Sequence, residues 1–397
     1  MCVKSICILL FLFCFNGFYG ICQSPEIGWE RKIVRPGANV FTQVIEDVKG
    51  GFTVTGYTHP DNKTDLDFWM VRFSPEGEII LEKSFGTGNN DLPSGLSQFP
   101  NEEYIITGNT TTEDKSSQVL VVRVDKEGNI IWKNEGDKIE DVVVKDVVTM
   151  DDGTFIMGGA KKVSEGTEKI WVAKLDGEGE LVWEKTFGEK GIAQLQSLKK
   201  LPDGGFVVAA QVALQAISDN DLWMFRFDRE DNLLWEKQFP SPEINIWPEC
   251  VCCSPDNNFM VAGWYGTCMN DINSENPIFD YDLFLSKISP DGKIIWSKNI
   301  DSEGSEGGNT IVVRPDEKIL LGGKKETSFL GRVGSWLLVT DQEGTVVSEM
   351  VFPFNFGNDQ AVEIINSSDG GFVVIGPGEL DLNQQNSDGW IKKFKAF

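Results

Sequence analysis

The stretch Gly28-Trp29-Glu30-Arg31-Lys32-Ile33 lies near the start of the chain, but it has the form of a phrase that elsewhere closes a repeat. Comparable phrases end six downstream repeats, as in Val182-Trp183-Glu184-Lys185-Thr186-Phe187, and the seventh repeat stops at Phe397 without one. The beginning of the chain therefore supplies the segment that its end lacks. This is typical of a closed ring of β-sheets in which the first strand completes the last sheet.

A second phrase sets the period of the repeats. It is a turn followed by a short apolar run, as in Asp203-Gly204-Gly205-Phe206-Val207-Val208-Ala209. We call the first apolar residue of each run its anchor, and the seven anchors are Phe52, Tyr104, Phe155, Phe206, Phe259, Ile319 and Phe372. Their spacings of 52, 51, 51, 53, 60 and 53 residues suit one four-stranded blade per repeat.

Alternating strands joined by tight turns follow each anchor, which is the pattern of a β-hairpin. Aligned on these turns, ten of the twelve tryptophans fall at two positions, one on the third strand and one on the fourth. We therefore predict that these ten pack between adjacent blades. The predicted fold is all-β: a seven-bladed β-propeller of four-stranded antiparallel blades, closed by a strand near residues 27–34 that pairs in the last blade.

Residues 1–22 have the features of a signal peptide: one lysine, an apolar run of about ten residues and small residues near the end. The run is too short to span a bilayer, and we expect an exported protein whose propeller comprises residues 23–397. A lipid anchor on Cys22 or Cys14 is the alternative for surface attachment.

The chain is strongly acidic, with 61 Asp and Glu against 36 Lys and Arg and a net charge of −25. This charge repels phosphate backbones, so we expect no nucleic-acid partner, and it favours a soluble monomer.

Four cysteines follow the predicted leader: Cys250, Cys252, Cys253 and Cys268. An even number in an exported chain favours disulfides, and we predict one from Cys268 to Cys250 in preference to the other two. The reason is that the turn through residues 254–258 brings the chain back beside the cysteines. A metal site is the alternative, but no histidine lies near them to complete it.

Blade five differs from the others on the face that gathers the longer loops. The distance from Phe259 to Phe284 is 25 residues, against 16 to 18 elsewhere, and the blade holds both tryptophans outside the repeat. We predict a glycan or protein ligand site there, because aromatic rings beside polar groups suit sugar stacking. Its residues are Trp247, Trp264, Tyr265, Phe279, Tyr281 and Asp282. The alternative is that these rings pack beneath the insertion at residues 266–282.

Two further patterns involve carboxylates. Four blades carry an aspartate two residues before the third-strand aromatic: Asp67, Asp221, Asp282 and Asp388. They could converge to hold Ca²⁺, or each could cap its own loop, and the second is the expectation, so no cofactor is predicted. The single histidine, His59, has no nucleophile motif to serve, which leaves paired carboxylates of a hydrolase or lyase as the enzymatic alternative.

The repeats resemble a known class of proteins. Strings such as Asp203-Gly204-Gly205-Phe206-Val207-Val208-Ala209 and Val182-Trp183-Glu184-Lys185-Thr186-Phe187-Gly188 are similar to the tandem repeats of exported bacterial propellers, common in Bacteroidetes and grouped with delta-60-like repeats. The resemblance covers nearly all of residues 23–397 and implies the propeller architecture, with no particular activity. A binding module is the predicted function.

Overall fold

The computed structural model describes residues 25–59, 65–111, 116–135, 139–213, 220–240, 245–268, 279–301, 306–327, 332–352, 360–378 and 387–396. These residues form 28 strands, numbered β1 to β28 along the chain. The strands make seven four-stranded antiparallel blades, two of which are joined by a single parallel pair, Glu168 with Ile192. None of the described residues belongs to a helix long and apolar enough to cross a membrane.

Each blade runs outward from the central axis in strand order. The innermost strands of blades one to seven are β2 (Asn39–Glu46), β6 (Asn90–Gln98), β10 (Val142–Thr149), β14 (Ile192–Lys200), β18 (Asn245–Cys253), β22 (Glu306–Val313) and β26 (Glu363–Asn366). The second strands are β3 (Phe52–Thr58), β7 (Tyr104–Thr111), β11 (Phe155–Ser164), β15 (Phe206–Ala213), β19 (Phe259–Cys268), β23 (Ile319–Thr327) and β27 (Phe372–Pro377). Every anchor thus begins a second strand.

The outer half of each blade is the predicted hairpin. The third strands are β4 (Asp67–Phe73), β8 (Ser117–Val124), β12 (Thr167–Leu175), β16 (Asn220–Phe227), β20 (Phe279–Ile288), β24 (Arg332–Thr340) and β28 (Gly389–Phe394). The outermost strands are β5 (Ile79–Phe85), β9 (Ile130–Glu135), β13 (Leu181–Phe187), β17 (Leu233–Phe239), β21 (Ile294–Ile300), β25 (Val346–Val351) and, in blade seven, β1 (Ile27–Ile33). Blade seven therefore contains both ends of the described chain.

The closure of the ring follows the prediction. β1 pairs antiparallel with β28, with Arg31 opposite Ile391. The indole Nε1 of Trp29 donates a hydrogen bond of 2.9 Å to the carbonyl of Pro75 in blade one, and Lys32 forms a 3.0 Å ion pair with Asp388. The N-terminal strand thus covers the edge of blade seven and also connects it to blade one.

The tryptophans of the repeat lie between blades, as expected. On the third strand, Trp69, Trp171 and Trp336 are fully buried. On the outermost strand, the indole of Trp132 donates to the carbonyl of Gly177 at 2.9 Å, and that of Trp235 donates to the carbonyl of Pro290 at 2.9 Å. Both acceptors belong to the outer turn of the following blade. Each indole is therefore partly buried between two blades and also donates one hydrogen bond to the next blade.

The innermost strands of blades one to six carry a β-bulge at the same place in the blade. In blades one to six, the extra residues are Thr42, Ser94, Lys145, Gln196, Glu249 and Asn309. The residue after each bulge pairs with the fourth residue of the second strand, as Asp146 does with Gly158 and Glu363 does in blade seven with Ile375. Because a bulge interrupts the ladder, it re-aims the side chains at this level of the channel.

Two of the residues after a bulge, and the equivalent residue of blade seven, tie one blade to the next. The Oδ2 atom of Asp146 accepts a hydrogen bond from the backbone N–H of Leu198 at 2.9 Å, and the Oγ1 atom of Thr310 accepts one from Ile364 at 3.0 Å. Across the ring closure, Oε2 of Glu363 accepts from the N–H of Val44 at 2.5 Å. A side chain of one innermost strand thus satisfies the backbone of the next, which fixes the channel wall.

Candidate ligand-binding site

Three aromatic residues of blade five lie together on the side of its sheet that faces blade six. Trp247 on β18 is paired directly with Trp264 on β19, so the two side chains project from the same face. Tyr281 shares that face, with its ring centroid 5.5 Å from that of Trp247 and 5.9 Å from that of Trp264, both edge-on. All three side chains are partly buried. We call Trp247, Trp264 and Tyr281 the aromatic triad.

Blade six makes room for the triad. The indole of Trp264 lies against Gly307, so closely that a Cβ atom there would collide with the ring. Gly307 is two residues before the bulge, and each of the other six blades carries a side chain at this position. Lys324, the strand partner of Gly307, places its Nζ atom 4.4 Å from the centroid of Trp264. The absence of a side chain at Gly307 leaves space for the indole over blade six, and the cation–π contact with Lys324 holds it there.

The predicted site residues do not all join this triad. Tyr265 and its strand partners, Ile246 and Asp282, project from the opposite face of the sheet, toward blade four. The ring of Tyr265 packs against a buried cluster that includes Leu222 and Phe259. Tyr265 therefore stabilises the seam between blades, while the side chain of Phe279 lies outside the described residues. Strand alternation divides the predicted group in two.

Asp282 has an unusual electrostatic environment for a partly exposed carboxyl group. Burial raises its pKa to about 6, and the negative charges of Asp301 and Asp280 act in the same direction. A carboxyl that is held protonated into this range can donate a proton near neutral pH. The group lies across the sheet from the aromatic triad, so both cannot contact one ligand ring directly.

The predicted disulfide is wrong. Cys250, Cys252 and Cys253 are free thiols, and Cys250 is paired with Ala262 on β19. Cys268 lies six residues further along that strand, which at ~3.3 Å per residue is about 20 Å, whereas a disulfide requires Cα atoms within ~7 Å. The turn after β18 is tight, so its register carries Cys268 to the opposite end of the blade. Burial raises the pKa of the Cys250 and Cys252 thiols.

The repeated aspartates are not brought to one metal site. Among the described residues, no group of three or more His, Cys, Asp or Glu side chains lies close enough to hold a metal ion. Asp67, Asp221 and Asp388 are each buried within their own blades. His59 has a local role, because its Nδ1 atom accepts a hydrogen bond of 2.9 Å from the backbone N–H of Ala38.

A polar cavity of about 240 Å³ occupies the central channel, and the sequence interpretation missed it. Its lining comes from the innermost strands of six blades and from residues just before β26, and it includes Gln43, Lys145, Asp146, Gln196, Lys199, Glu249, Cys250, Asn309, Thr310, Gln360 and Glu363. Most of these residues lie at the bulge or directly after it. A signal for them exists in the sequence: the residue nine positions before each anchor is polar or small in every blade, from Gln43 to Glu363.

Burial changes the protonation of the channel glutamates. It raises the pKa of Glu363 to about 7, against the opposing effects of the Lys199 charge and of the Val44 hydrogen bond. Burial also raises the pKa of Glu249, which the charges of Lys145 and Lys324 oppose. Lys199 lies 3.7 Å from Asp146, whose charge raises the pKa of the lysine. The charge of Lys324, which contacts the ring of Trp264, thus acts on Glu249, and Trp247 of the triad precedes Glu249 by two residues on β18.

No protein-family model matches the chain, and no curated protein sequence matches it either. Solved structures do resemble it. The polysaccharide lyase Uly1 has a TM-score of 0.56 at 11% identity, over 96% of this chain and 94% of its own. The WD40 domain of Pan2 from Neurospora crassa has 0.54 at 10% identity, over 90% and 89%. YCF48 bound to D1 peptide has 0.52 at 10% identity, over 94% and 98%. At such identities the likeness shows the β-propeller fold alone.

Proposed function

We propose that this protein is an exported β-propeller that binds a carbohydrate at the loop-rich mouth of its channel, beside blade five. The observation that carries the proposal is the aromatic triad, in which all three side chains are partly buried, Tyr281 lies edge-on to both tryptophans, and Gly307 and Lys324 contact the ring of Trp264. Rigid aromatic faces bordered by polar groups suit the apolar face and the hydroxyl rim of a sugar ring.

A partner protein is the second kind of ligand, since propellers bind both. Carbohydrate is favoured because the channel cavity is lined by amides, lysines and carboxyl groups, which suit a ligand with many hydroxyl groups. Export is proposed from the leader-like residues 1–22 and from the resemblance to exported bacterial repeat propellers. Recovery of the mature chain from the periplasm or the medium would test it.

A specific observation favours an enzymatic alternative. The raised pKa of Asp282, next to Asp280 and Asp301, is the property expected of a general acid in a hydrolase or lyase. Asp146 and Glu363 are less suitable, because backbone N–H groups of the next blade already occupy an oxygen of each carboxylate. Release of reducing or unsaturated sugar ends by the wild type, and its loss in Asp282→Asn, would support this alternative.

The binding proposal is tested by a glycan array followed by calorimetry on the glycan that binds best. Trp264→Ala should weaken binding by about 1–3 kcal/mol, the range for one central aromatic contact. The matched control is Trp235→Ala, which removes a partly buried tryptophan from the outer seam of blade four. Equal binding by Trp264→Ala and wild type, with both folded, would remove the triad as the ligand site.

A further inference from the structure

The polar side chains of the channel wall fall into two sets. The first set connects one blade to the next: Asp146, Thr310 and Glu363 accept backbone hydrogen bonds, and Asn309 donates one of 3.1 Å to the carbonyl of Ala361. These groups are used by the fold. Replacing them would be expected to disturb the wall itself, so they are poor candidates for selecting a ligand.

The second set faces the lumen and makes no hydrogen bonds between blades. Within the part of the chain that the structure describes, Lys145, Gln43, Gln196 and Gln360 make no hydrogen bond or ion pair through their side chains. Lys199 makes one ion pair, with Asp146 at 3.7 Å, which is beyond hydrogen-bond length. Each ammonium group has three donors, so both lysines retain donors that can be directed at a ligand.

We propose that the channel binds a carboxylate group. The glycan bound at the mouth is therefore an acidic one, whose uronate end enters the channel between Lys145 and Lys199. This inference rests on the proposed function, because it names the class of glycan at the same mouth. The glutamine amides supply donors and acceptors for the remaining hydroxyl groups of that sugar.

Size and position agree with an end-on arrangement. The cavity of about 240 Å³ is smaller than the roughly 300–1,000 Å³ of an ordinary ligand pocket, so it admits one end of a ligand while the rest lies outside. Trp247 precedes Glu249, which lines the cavity, by two residues on β18, and the charge of Lys324, which contacts Trp264, acts on Glu249. A chain stacked on the aromatic triad would thus lie close to the cavity lining at Glu249.

Three carboxyl groups share the channel with the two lysines, and their state decides how well an anion is tolerated. The three groups are Asp146, Glu249 and Glu363. Backbone N–H groups of the next blade donate to Asp146 and Glu363, the charge of Lys199 acts on both, and burial raises the pKa of Glu249. Because burial holds the pKa of Glu363 near 7, lowering the pH below 7 removes its negative charge. A uronate stays ionised there, so its binding should strengthen as the pH falls from 8 to 6.

The test is calorimetry on the mature chain with a panel of uronate oligosaccharides, including oligogalacturonate, each beside its carboxyl-reduced form. Wild type should prefer the acidic form roughly tenfold or more, as for a hydrogen bond to a charged group. Lys199→Met and Lys145→Met should each abolish that preference, and Lys199→Arg should retain part of it. The control is Lys190→Met, an exposed lysine on the same loop-rich face, which should bind as wild type does.

The outcomes separate the two proposals. If acidic and reduced glycans bind equally and only Trp264→Ala weakens them, the mouth site stands and the carboxylate subsite is wrong. If no glycan binds but a peptide with a free C-terminal carboxylate does, and Lys199→Met abolishes it, the carboxylate subsite stands with a different class of ligand and the carbohydrate proposal is wrong. Thermal melts of each variant ensure that lost binding reflects the site.

Discussion

The outer seams and the channel wall are built from the same seven repeats, but they vary in opposite ways. Along the seams, an outermost-strand side chain meets the turn glycine of the next blade again and again, as Trp29 meets Gly77, Trp132 meets Gly179 and Trp296 meets Gly344. Along the channel, equivalent bulge positions hold lysine, glutamine and glutamate. The comparison teaches that positions which repeat serve the fold, whereas positions which do not repeat are free to serve a ligand.

The seam between blades five and six belongs to both regions. Its outer part has the usual contact of Trp296 with the turn of blade six, but its inner part has Trp264 lying over Gly307, and no other blade has glycine there. A substitution on the inner side of this seam should therefore mainly affect ligand binding, as a channel substitution does. A substitution on its outer side should mainly affect stability, as a core substitution does.

The largest effect is expected from removing the closure. Deleting residues 23–34 removes β1, leaves the edge of β28 unpaired and abolishes the Trp29 and Lys32 contacts. The loss should be on the order of 5 kcal/mol or more, comparable with the stability of a whole domain. A thermal melt and gel filtration would show early melting and aggregation. An unchanged melting temperature would contradict the view that this strand seals the ring.

A tryptophan of the repeat should matter more for folding than a tryptophan outside it. Trp171 is fully buried between blades, and Trp171→Ala should cost about 3–5 kcal/mol in the free energy of unfolding. Trp264→Ala, at a partly buried position, should cost less and should weaken glycan binding instead. Denaturant melts of both variants measure this contrast. Equal losses of stability would mean that the triad is part of the core.

The connections between innermost strands come next in size. Asp146→Ala leaves the N–H of Leu198 without its acceptor and should cost about 1–3 kcal/mol. The matched control is the neighbouring Lys145→Ala, because Lys145 is exposed in the channel and no described residue bonds to its side chain. Guanidinium melts that gave both variants the same midpoint would show that the hydrogen bond between blades does not stabilise the ring.

The architecture could be read from the sequence because propeller repeats are local. The anchors each begin a second strand, the tight turns fix the hairpins, and the Gly28–Ile33 phrase fits only in an incomplete last blade. Strand alternation was harder to use in blade five. Trp264 and Tyr265 are neighbours in sequence, but they face different blades, so a group of nearby aromatic residues was not one site.

Predicting the channel lining and the pairing of the cysteines required knowledge of the strand register. The prediction of a Cys250–Cys268 disulfide assumed that a hairpin brings all of the second strand near the first, whereas each residue has one partner, and that of Cys250 is Ala262. The bulges of the innermost strands were also not evident in the sequence, since one extra residue leaves no mark on composition. Aligning the residues nine positions before the anchors would have revealed the polar ring.

A smaller effect is expected from filling the space beneath Trp264. Gly307→Val adds a side chain where the indole now lies and should displace the ring from blade six. Binding at the triad should weaken by roughly 1 kcal/mol, less than for loss of the ring itself. Gly166→Ala is the control, a surface turn glycine with open space around it, although its backbone φ of +72° adds local strain. Unchanged affinity in Gly307→Val would mean that the position of the indole is unimportant.

The smallest expected effect is the pH dependence contributed by Glu363. Its pKa rises from 4.5 to about 7 in the folded state, mainly because burial disfavours the charged form. Between these values the folded chain holds a proton that the unfolded chain has released, so stability from this group is present at low pH and is lost as the pH rises from about 5 to 7. Because Glu363 is only partly buried and the channel solvent screens its charge, the change should be on the order of 1 kcal/mol. Glu363→Gln, which is uncharged throughout, should flatten the slope of urea midpoints against pH, while Glu30→Gln on the surface should retain it. A slope that is unaltered by Glu363→Gln would place the titration elsewhere and would also remove the reason to expect stronger uronate binding at pH 6.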